Sequence, residues 1–208
     1  MTAPNPTDAS LGDRYAAHQA RLATMSFPNA AMRGDRAPEF ELGNASGRMI
    51  RLDELLARGP VVLTFYRGAW CPYCNTQLRI LQQALPELEA LGASLVAVSP
   101  QLPDGSLELI DKHALTFEVL SDSKSRVASE YGIVFALTPA DRALFLEFGN
   151  DLAEANSDDS WVLPAPATFV IDGDGTIHHA RVDADFTKRT EIDEILGALR
   201  EIAATDRG

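Results

Sequence analysis

Cys71 and Cys74 are the only two cysteines in a chain of 208 residues, and Pro72 and Tyr73 separate them. Neighbouring thiols at this spacing can cycle as a redox dithiol, form half of a metal site, or fill a buried turn. They lie in VVLTFYRGAWCPYCNTQL, Val61 to Leu78. There an apolar run of strand character gives way to helical spacing through Leu78, Leu81, Leu85 and Leu88. Proline suits the first turn of a helix, which places Cys71 at the N-cap and Cys74 at the third helical position. Unpaired backbone N–H groups and the positive end of the helix dipole then face the Cys71 sulfur. Such a setting lowers a cysteine pKa from about 8.5 to roughly 3.5–7.5 and produces the nucleophilic thiolate. Cys74, one turn later, is expected to be more shielded yet within disulfide reach, so the first sulfur attacks and the second resolves. Trp70 and Arg67 are substrate-positioning candidates. For Arg67 two readings stand side by side, an added positive charge for Cys71 and a solvated surface arginine.

The other two chemistries fit less well. A structural zinc site takes four ligands, normally in two spaced pairs. The histidines, His18, His113, His178 and His179, include none at pair spacing with another cysteine. His178 and His179 are adjacent, so on a strand they point to opposite faces. A buried CxxC without chemistry is compatible with the packing of cysteine in cores. The redox dithiol is preferred because strand, aromatic lead-in, cysteine and proline agree. No metal and no cofactor are expected.

The composition bounds the partners. Hydrophobic residues make up 46% and charged residues 23%, as in a globular protein with a core, and the formal net charge is −12. That charge argues against a protein that tracks a nucleic-acid backbone and against binding to anionic membranes. No apolar run reaches the roughly 18–20 residues that span a bilayer. The opening MTAPNPTDASLGDRY has neither a basic nor an apolar segment of a secretory signal. A cytoplasmic location is therefore expected, where disulfides are usually transient and catalytic.

The elements around the thiols alternate. Residues 1–7 read as disordered. Asp8 to Met32 is helix-compatible, with Leu11, Tyr15, His18, Leu22 and Met25 roughly on one face. APEFEL and RMIRL suggest extended segments, DELLAR a short helix, and VVLTFY and SLVAVSP buried strands. The helix after Cys71 is expected to kink or split at Pro86 and to end at Gly92. Ser106 to Ala114 reads as helix, TFEVLSD as strand, and Lys124 to Tyr131 as helix. Residues 133–165 break the rhythm. Thr138-Pro139 starts a helix that is expected to run towards Ala155. ATFVID-GDG-TIHHARVD is a hairpin signal, and Ile192, Ile195, Leu196, Leu199 and Ile202 line a final amphipathic helix. The fold class is α/β, with a mixed central sheet flanked by helices. The expected division is an N-terminal helical extension, residues 1–34, and a redox domain, residues 35–208, with an inserted helix before the closing hairpin.

WCPYC after a buried strand resembles the thioredoxin superfamily. RAPEFEL, FYRGAWCPYC, LVAVSPQ, LSD and PATFVIDGDGTI, in this order, resemble the alkyl hydroperoxide reductase/thiol-specific antioxidant branch, the peroxiredoxin-like proteins, over about Asp35 to Arg200. The resemblance implies a thioredoxin-like fold and a thiol-dependent antioxidant oxidoreductase. In it Cys71 attacks a peroxide or a disulfide, and Cys74 closes a Cys71–Cys74 disulfide that thioredoxin or a glutathione-type donor reduces. Homodimer formation is left open.

Departures from that family pattern are informative. Gly68 stands where peroxiredoxins usually carry a Thr or Ser, and Pro166 where they use an arginine before the late strand. Both groups normally orient the O–O bond, so their absence predicts slow peroxide reduction relative to disulfide exchange. Pro166 instead resembles the thioredoxin cis-proline that faces the dithiol. Phe65 occupies the place of the thioredoxin buried acid, which leaves the proton acceptor for Cys74 unassigned. A second class of function is a redox sensor or binding module whose surface would be Phe135, Leu144, Phe145, Phe148 and Trp161. The competing reading of those aromatics is an inserted helix packed on the sheet.

Overall fold

The computed structural model describes residues 10–205. The expectation for residues 1–7 lies outside that range. Nine strands and eight α-helices follow in the order α1 (Leu11–Ala23), β1 (Glu41–Asn44), β2 (Met49–Arg51), α2 (Leu52–Leu56), β3 (Val61–Phe65), α3 (Pro72–Ala90), β4 (Ser94–Ser99), α4 (Pro103–His113), β5 (Glu118–Ser121), α5 (Arg126–Glu130), β6 (Val134–Ala136), α6 (Pro139–Glu147), α7 (Leu152–Asn156), β7 (Val162–Pro164), β8 (Ala167–Ile171), β9 (Ile177–Val182) and α8 (Ile192–Thr205).

Seven strands form one mixed sheet in the order β2-β1-β5-β4-β3-β8-β9. β3, β4 and β5 are parallel, and β8 pairs antiparallel with β3, Phe65 lying opposite Ala167. β3 is buried along its whole length, as its unbroken apolar run requires for a strand covered on both faces. Its side chains alternate. Val61, Leu63 and Phe65 enter a core with α2, α5, Tyr131 and Phe169, whereas Val62 faces a second core built by α3, α4 and α8. The α3 crossover that makes β3 and β4 parallel is also the element that carries both cysteines. β8 and β9 form the expected hairpin, closed by an Asp172–Gly175 turn with Gly175 at φ +87°.

Three elements differ from expectation. α1 ends at Ala23 rather than near Met32, since Pro28 biases the residue before it away from helix. α3 runs through Pro86 as one helix, because buried Leu81, Leu85 and Leu88 on both sides of the exposed proline hold a continuous stripe against the sheet. Residues 133–165 hold more than one helix. α6 stops at Glu147, Gly149 turns the chain at φ +79°, and Asp151 caps a separate α7. On either side, β6 and β7 make a two-stranded sheet, Phe135 opposite Leu163, in segments too short for strand periodicity to show.

These residues do not pack on the main sheet as a lone helix. Leu22 of α1 joins Phe135, Leu137, Phe145, Leu152, Trp161 and Leu163 in a third core, which also takes in Phe186 from the β9–α8 connection. The five residues considered as a sensor surface are therefore mostly interior. Phe135, Leu144, Phe145 and Trp161 are buried, and only Phe148 is exposed, at 45%. α1 is held to α6 by Arg14–Glu147, Arg21–Asp141 and His18–Asp141 contacts. Among the described residues no helix is long and apolar enough to cross a membrane.

Candidate active site

Cys71 caps α3 just beyond the C-terminal end of β3, with Pro72 at the first helical position and Cys74 at the third. The connecting turn is fixed by its backbone. Cys71 N–H donates to the Gly68 carbonyl at 3.1 Å, and Asn75 Nδ2 donates to the Ala69 carbonyl at 2.9 Å. Gln101 Oε1 accepts the Ala69 N–H at 2.6 Å. Gly68 has φ +147°, and a Cβ there would lie 2.3 Å from Trp70 Nε1 and 2.8 Å from Trp70 Cδ1. The missing hydroxyl is thus a steric necessity: the indole of Trp70 fills the space a Thr or Ser would need.

Both cysteines are free thiols. The expected difference in shielding is absent, since Cys71 is 0% and Cys74 1% exposed. What separates them is charge. Arg67 is not a solvated surface residue: it is 4% exposed and its Nη2 donates to Cys71 Sγ at 3.1 Å. Its guanidinium stacks 3.9 Å from the Phe186 ring centroid and 5.0 Å from that of Trp70. Among the described residues no carboxylate lies within ion-pairing distance of Arg67. A buried cation needs a counter-ion, and Cys71 as thiolate is the one within reach.

The Cys71 pKa is lowered to about 5. The largest cause is the hydrogen bond from the Cys74 thiol. Burial opposes it, and the Arg67 charge and hydrogen bond add to the downward pull, so the net shift is downward. The backbone N–H of Cys74 adds a smaller share, so the helix terminus contributes but does not lead. Cys74 moves the other way: complete burial and its donated hydrogen bond push its thiol well above the ordinary value. The result is one thiolate and one thiol in contact.

A cavity of about 600 Å³ is lined by Arg67, Trp70, Pro72 and Tyr73, which flank Cys71 in the chain, while neither cysteine is itself part of its lining. The rest of its lining is largely aromatic, with Tyr15 and His18 from α1, Phe145 and Phe148 from the inserted segment, and Phe186. Trp70 packs edge-on against Phe145, centroids 5.3 Å apart, and so joins the second core to the third. Cys74 faces a different space. Pro166, Thr64, Gln77 and Arg189 line a small cavity with Cys74, and Cys71 is not among its lining residues. Arg189 Nη2 lies 3.7 Å from Cys74 Sγ. Pro166 therefore departs from the thioredoxin pattern twice. It sits on the Cys74 side, and no peptide bond among the described residues is cis. The trans form is the lower-energy isomer of an X–Pro bond by about 0.5–1 kcal/mol. Phe65, at the place of the absent buried acid, is held in the first core against Tyr131 and Phe169.

Of the sequence candidates, the structure brings Cys71, Cys74, Arg67 and Trp70 together and sets Pro166 behind Cys74. It separates the adjacent histidines, His178 lying 3.4 Å from Asp172 and His179 3.8 Å from Glu194 of α8. Sequence reasoning missed Asp141, Phe186 and Arg189, and noted His18 only on a helix face and among the histidines set aside as zinc ligands. For Asp141 a signal existed, three residues after the Thr138 cap, but it reads as a capping box alone. Nothing local marks Phe186 or Arg189, which reach the site from a connection more than a hundred residues away.

Comparison with known proteins places this geometry. Residues 33–180 match the model of the AhpC/TSA family. A putative peroxiredoxin bcp of Haemophilus influenzae is 33% identical over 100 residues, 48% of this chain and 64% of that protein. Peroxiredoxin Bcp of Escherichia coli is 27% identical over 175 residues, 84% of this chain and 99% of the relative. Among solved structures, peroxidoxin BcpB from Mycobacterium tuberculosis superposes with a TM-score of 0.65 at 26% identity, covering 82% of this chain and 97% of that one. Peroxiredoxin 6 of Arenicola marina shares the fold at 17% identity, with a TM-score of 0.68 over 86% of this chain and 76% of its own.

Proposed function

The chain belongs to the AhpC/TSA family, and from that premise we propose that it is a thiol-dependent peroxidase whose attacking sulfur is Cys71 and whose resolving sulfur is Cys74. The observation that carries the assignment is the buried Arg67 guanidinium, 3.1 Å from Cys71 Sγ and without a carboxylate partner among the described residues. It serves two steps. In the resting enzyme it stabilises the thiolate. During attack its remaining N–H groups meet the negative charge that develops on the departing oxygen, the task of the hydroxyl and arginine missing at positions 68 and 166.

The reaction balances without an external base. Cys71–S⁻ attacks the terminal oxygen of R–O–OH, the O–O bond breaks, and Cys71–SOH and RO⁻ form. Solvent protonates RO⁻ to the alcohol. Cys74–SH then attacks the sulfenic sulfur, its proton leaves with the hydroxyl as water, and a Cys71–Cys74 disulfide remains. Phe65 in place of a buried acid is compatible with this step, because the Cys74 proton has an acceptor in the leaving hydroxide. A thioredoxin or glutathione-type thiol restores both sulfurs, and the cytoplasm is the compartment that suits such a cycle. A hydroperoxide is favoured over a protein disulfide as oxidant. Cys71 is 0% exposed, and the cavity of about 600 Å³ lined by Arg67, Trp70 and Pro72 around it suits a small molecule better than another protein's disulfide.

Exposing reduced wild-type, Cys71→Ser and Cys74→Ser proteins to hydrogen peroxide and cumene hydroperoxide tests this order. Cys74→Ser should still undergo the first oxidation and accumulate a sulfenic acid that a dimedone-type probe labels at residue 71. Cys71→Ser should consume no peroxide. Loss of the first oxidation in both variants alike would remove the assignment of the two roles.

A further inference from the structure

Four polar atoms, Arg67 Nε, Arg67 Nη1, Trp70 Nε1 and His18 Nε2, are buried and have no hydrogen-bond partner among the described residues. Unsatisfied buried groups are rare enough that each calls for a reason, and all three residues line the same aromatic space. Three of these atoms can only donate. The fourth is decided by its neighbours. His18 Nδ1 lies 2.8 Å from Asp141 Oδ1. Asp141 also accepts from Arg21 Nη2, from the Thr138 N–H at 2.8 Å and from the Thr138 hydroxyl at 2.7 Å. Burial works against ionisation of Asp141, but these donors outweigh it and hold its pKa below the ordinary range. A carboxylate only accepts, so Nδ1 carries the proton. Burial lowers the pKa of His18, against the opposing pull of Asp141, and keeps the ring neutral. Nε2 is then a lone-pair acceptor.

A cavity whose walls hold unpaired donors together with one acceptor, open to a ligand once those side chains turn slightly, complements a group with both functions. A hydroperoxide is such a group, having one O–H and lone pairs on two oxygens. We propose that α1 belongs to the active site: His18 Nε2, oriented by Asp141, accepts a hydrogen bond from the O–H of a bound hydroperoxide while the free N–H groups of Arg67 donate to its oxygens. This rests on the peroxidase reading above and adds to it a binding group from outside the family-matched residues 33–180. The O–H keeps its proton throughout, since the terminal oxygen leaves as part of Cys71–SOH. His18 orients the substrate and holds the sulfenic hydroxyl, and it transfers no proton. The apolar group of the peroxide lies against Phe145, Phe148 and Phe186.

The test compares two reactions of the same thiolate. Oxidation of Cys71 by cumene hydroperoxide needs the O–O group to be held, whereas alkylation by iodoacetamide needs only the thiolate. His18→Phe keeps an aromatic ring and removes the acceptor. It should slow oxidation about tenfold, the worth of one well-made hydrogen bond, and leave alkylation within about twofold of the wild type. His18→Gln, whose amide oxygen can accept, should recover part of the loss. Unchanged oxidation in His18→Phe, or a parallel fall in both reactions, would show a purely structural residue and overturn the proposal. If His18→Phe does not fold, ¹⁵N-histidine-labelled Cys71→Ser protein, which cannot react, answers the same question. Adding cumene hydroperoxide should move the His18 Nε2 resonance in the direction of an accepted hydrogen bond, and no movement at saturation overturns the idea. A wild-type protein that no hydroperoxide oxidises would instead fail the peroxidase reading itself, an outcome visible before any variant is made.

Discussion

Arg67 and Cys71 form a minimal device: a cation buried among aromatic rings, whose one anionic partner among the described residues is a sulfur four residues away. Removing the cation should therefore act on the sulfur more than on the fold's hydrophobic contacts. Arg67→Met keeps much of the side-chain stem and discards the charge. The Cys71 pKa is expected to rise from about 5, read as thiolate absorbance against pH. Oxidation by hydrogen peroxide at neutral pH should fall by about 10²–10³, the usual loss when a preorganised donor is deleted from a reacting site. A variant with unchanged absorbance titration would show that the Cys74 hydrogen bond alone sets the thiolate. Position 68 makes the complementary case. Restoring the family hydroxyl by Gly68→Thr should not raise the rate, because a Cβ would strike Trp70 Nε1 at 2.3 Å and the backbone stands at φ +147°. A stability loss of roughly 1–3 kcal/mol in chemical denaturation, with no gain in peroxide oxidation, is the expected result.

At the scale of elements, legibility followed the range of the forces. The cap at Cys71, the proline at the first helical position and the hairpin at Asp172–Gly175 are local, and each was readable from neighbouring residues. The buried strands β3 and β4 were readable because apolar runs bounded by turns have few other uses. What escaped depended on distant partners. β6 and β7 are three residues each and gain their identity only by pairing across the α6–α7 segment. Phe186 is an ordinary aromatic until Arg67 stacks on it. Pro86 shows local preference losing to packing. Intrinsic propensity breaks a helix there, yet leucines before and after the proline are buried along one face. This implies stored cost. Pro86→Ala should restore a backbone donor in an exposed turn and raise stability by roughly 1–3 kcal/mol. Thermal denaturation should show a higher Tm with peroxide oxidation unchanged. A lower Tm would mean that the proline's constraint on the unfolded chain outweighs the missing hydrogen bond.

For the molecule as a whole, the dithiol ties stability to pH and redox state. Cys71 has a folded pKa of about 5, below its unfolded value of about 8.5. Between these the unfolded chain holds one more proton than the native one, so stability rises with pH across that window and is lost as pH falls through 5. Cys74 is raised in the fold. Above about 8.5 the native state therefore holds the extra proton, and stability turns downward. Other groups add slopes of their own. Neutral burial of His18 also favours the fold as pH rises towards its unfolded pKa of about 6.5. Those slopes are common to the reduced and disulfide forms, whereas the thiol terms exist only in the reduced form. The difference between the two stability curves isolates the sulfurs. Urea denaturation of both forms from pH 5 to pH 10 should give a difference that climbs towards about pH 8.5 and then declines. In the oxidised protein the same conversion strips Arg67 of its counter-ion while leaving it buried. Parallel curves at all pH values would mean that Cys71 is not ionised in the folded protein, and both the Arg67 assignment and the order of attack would fall with it.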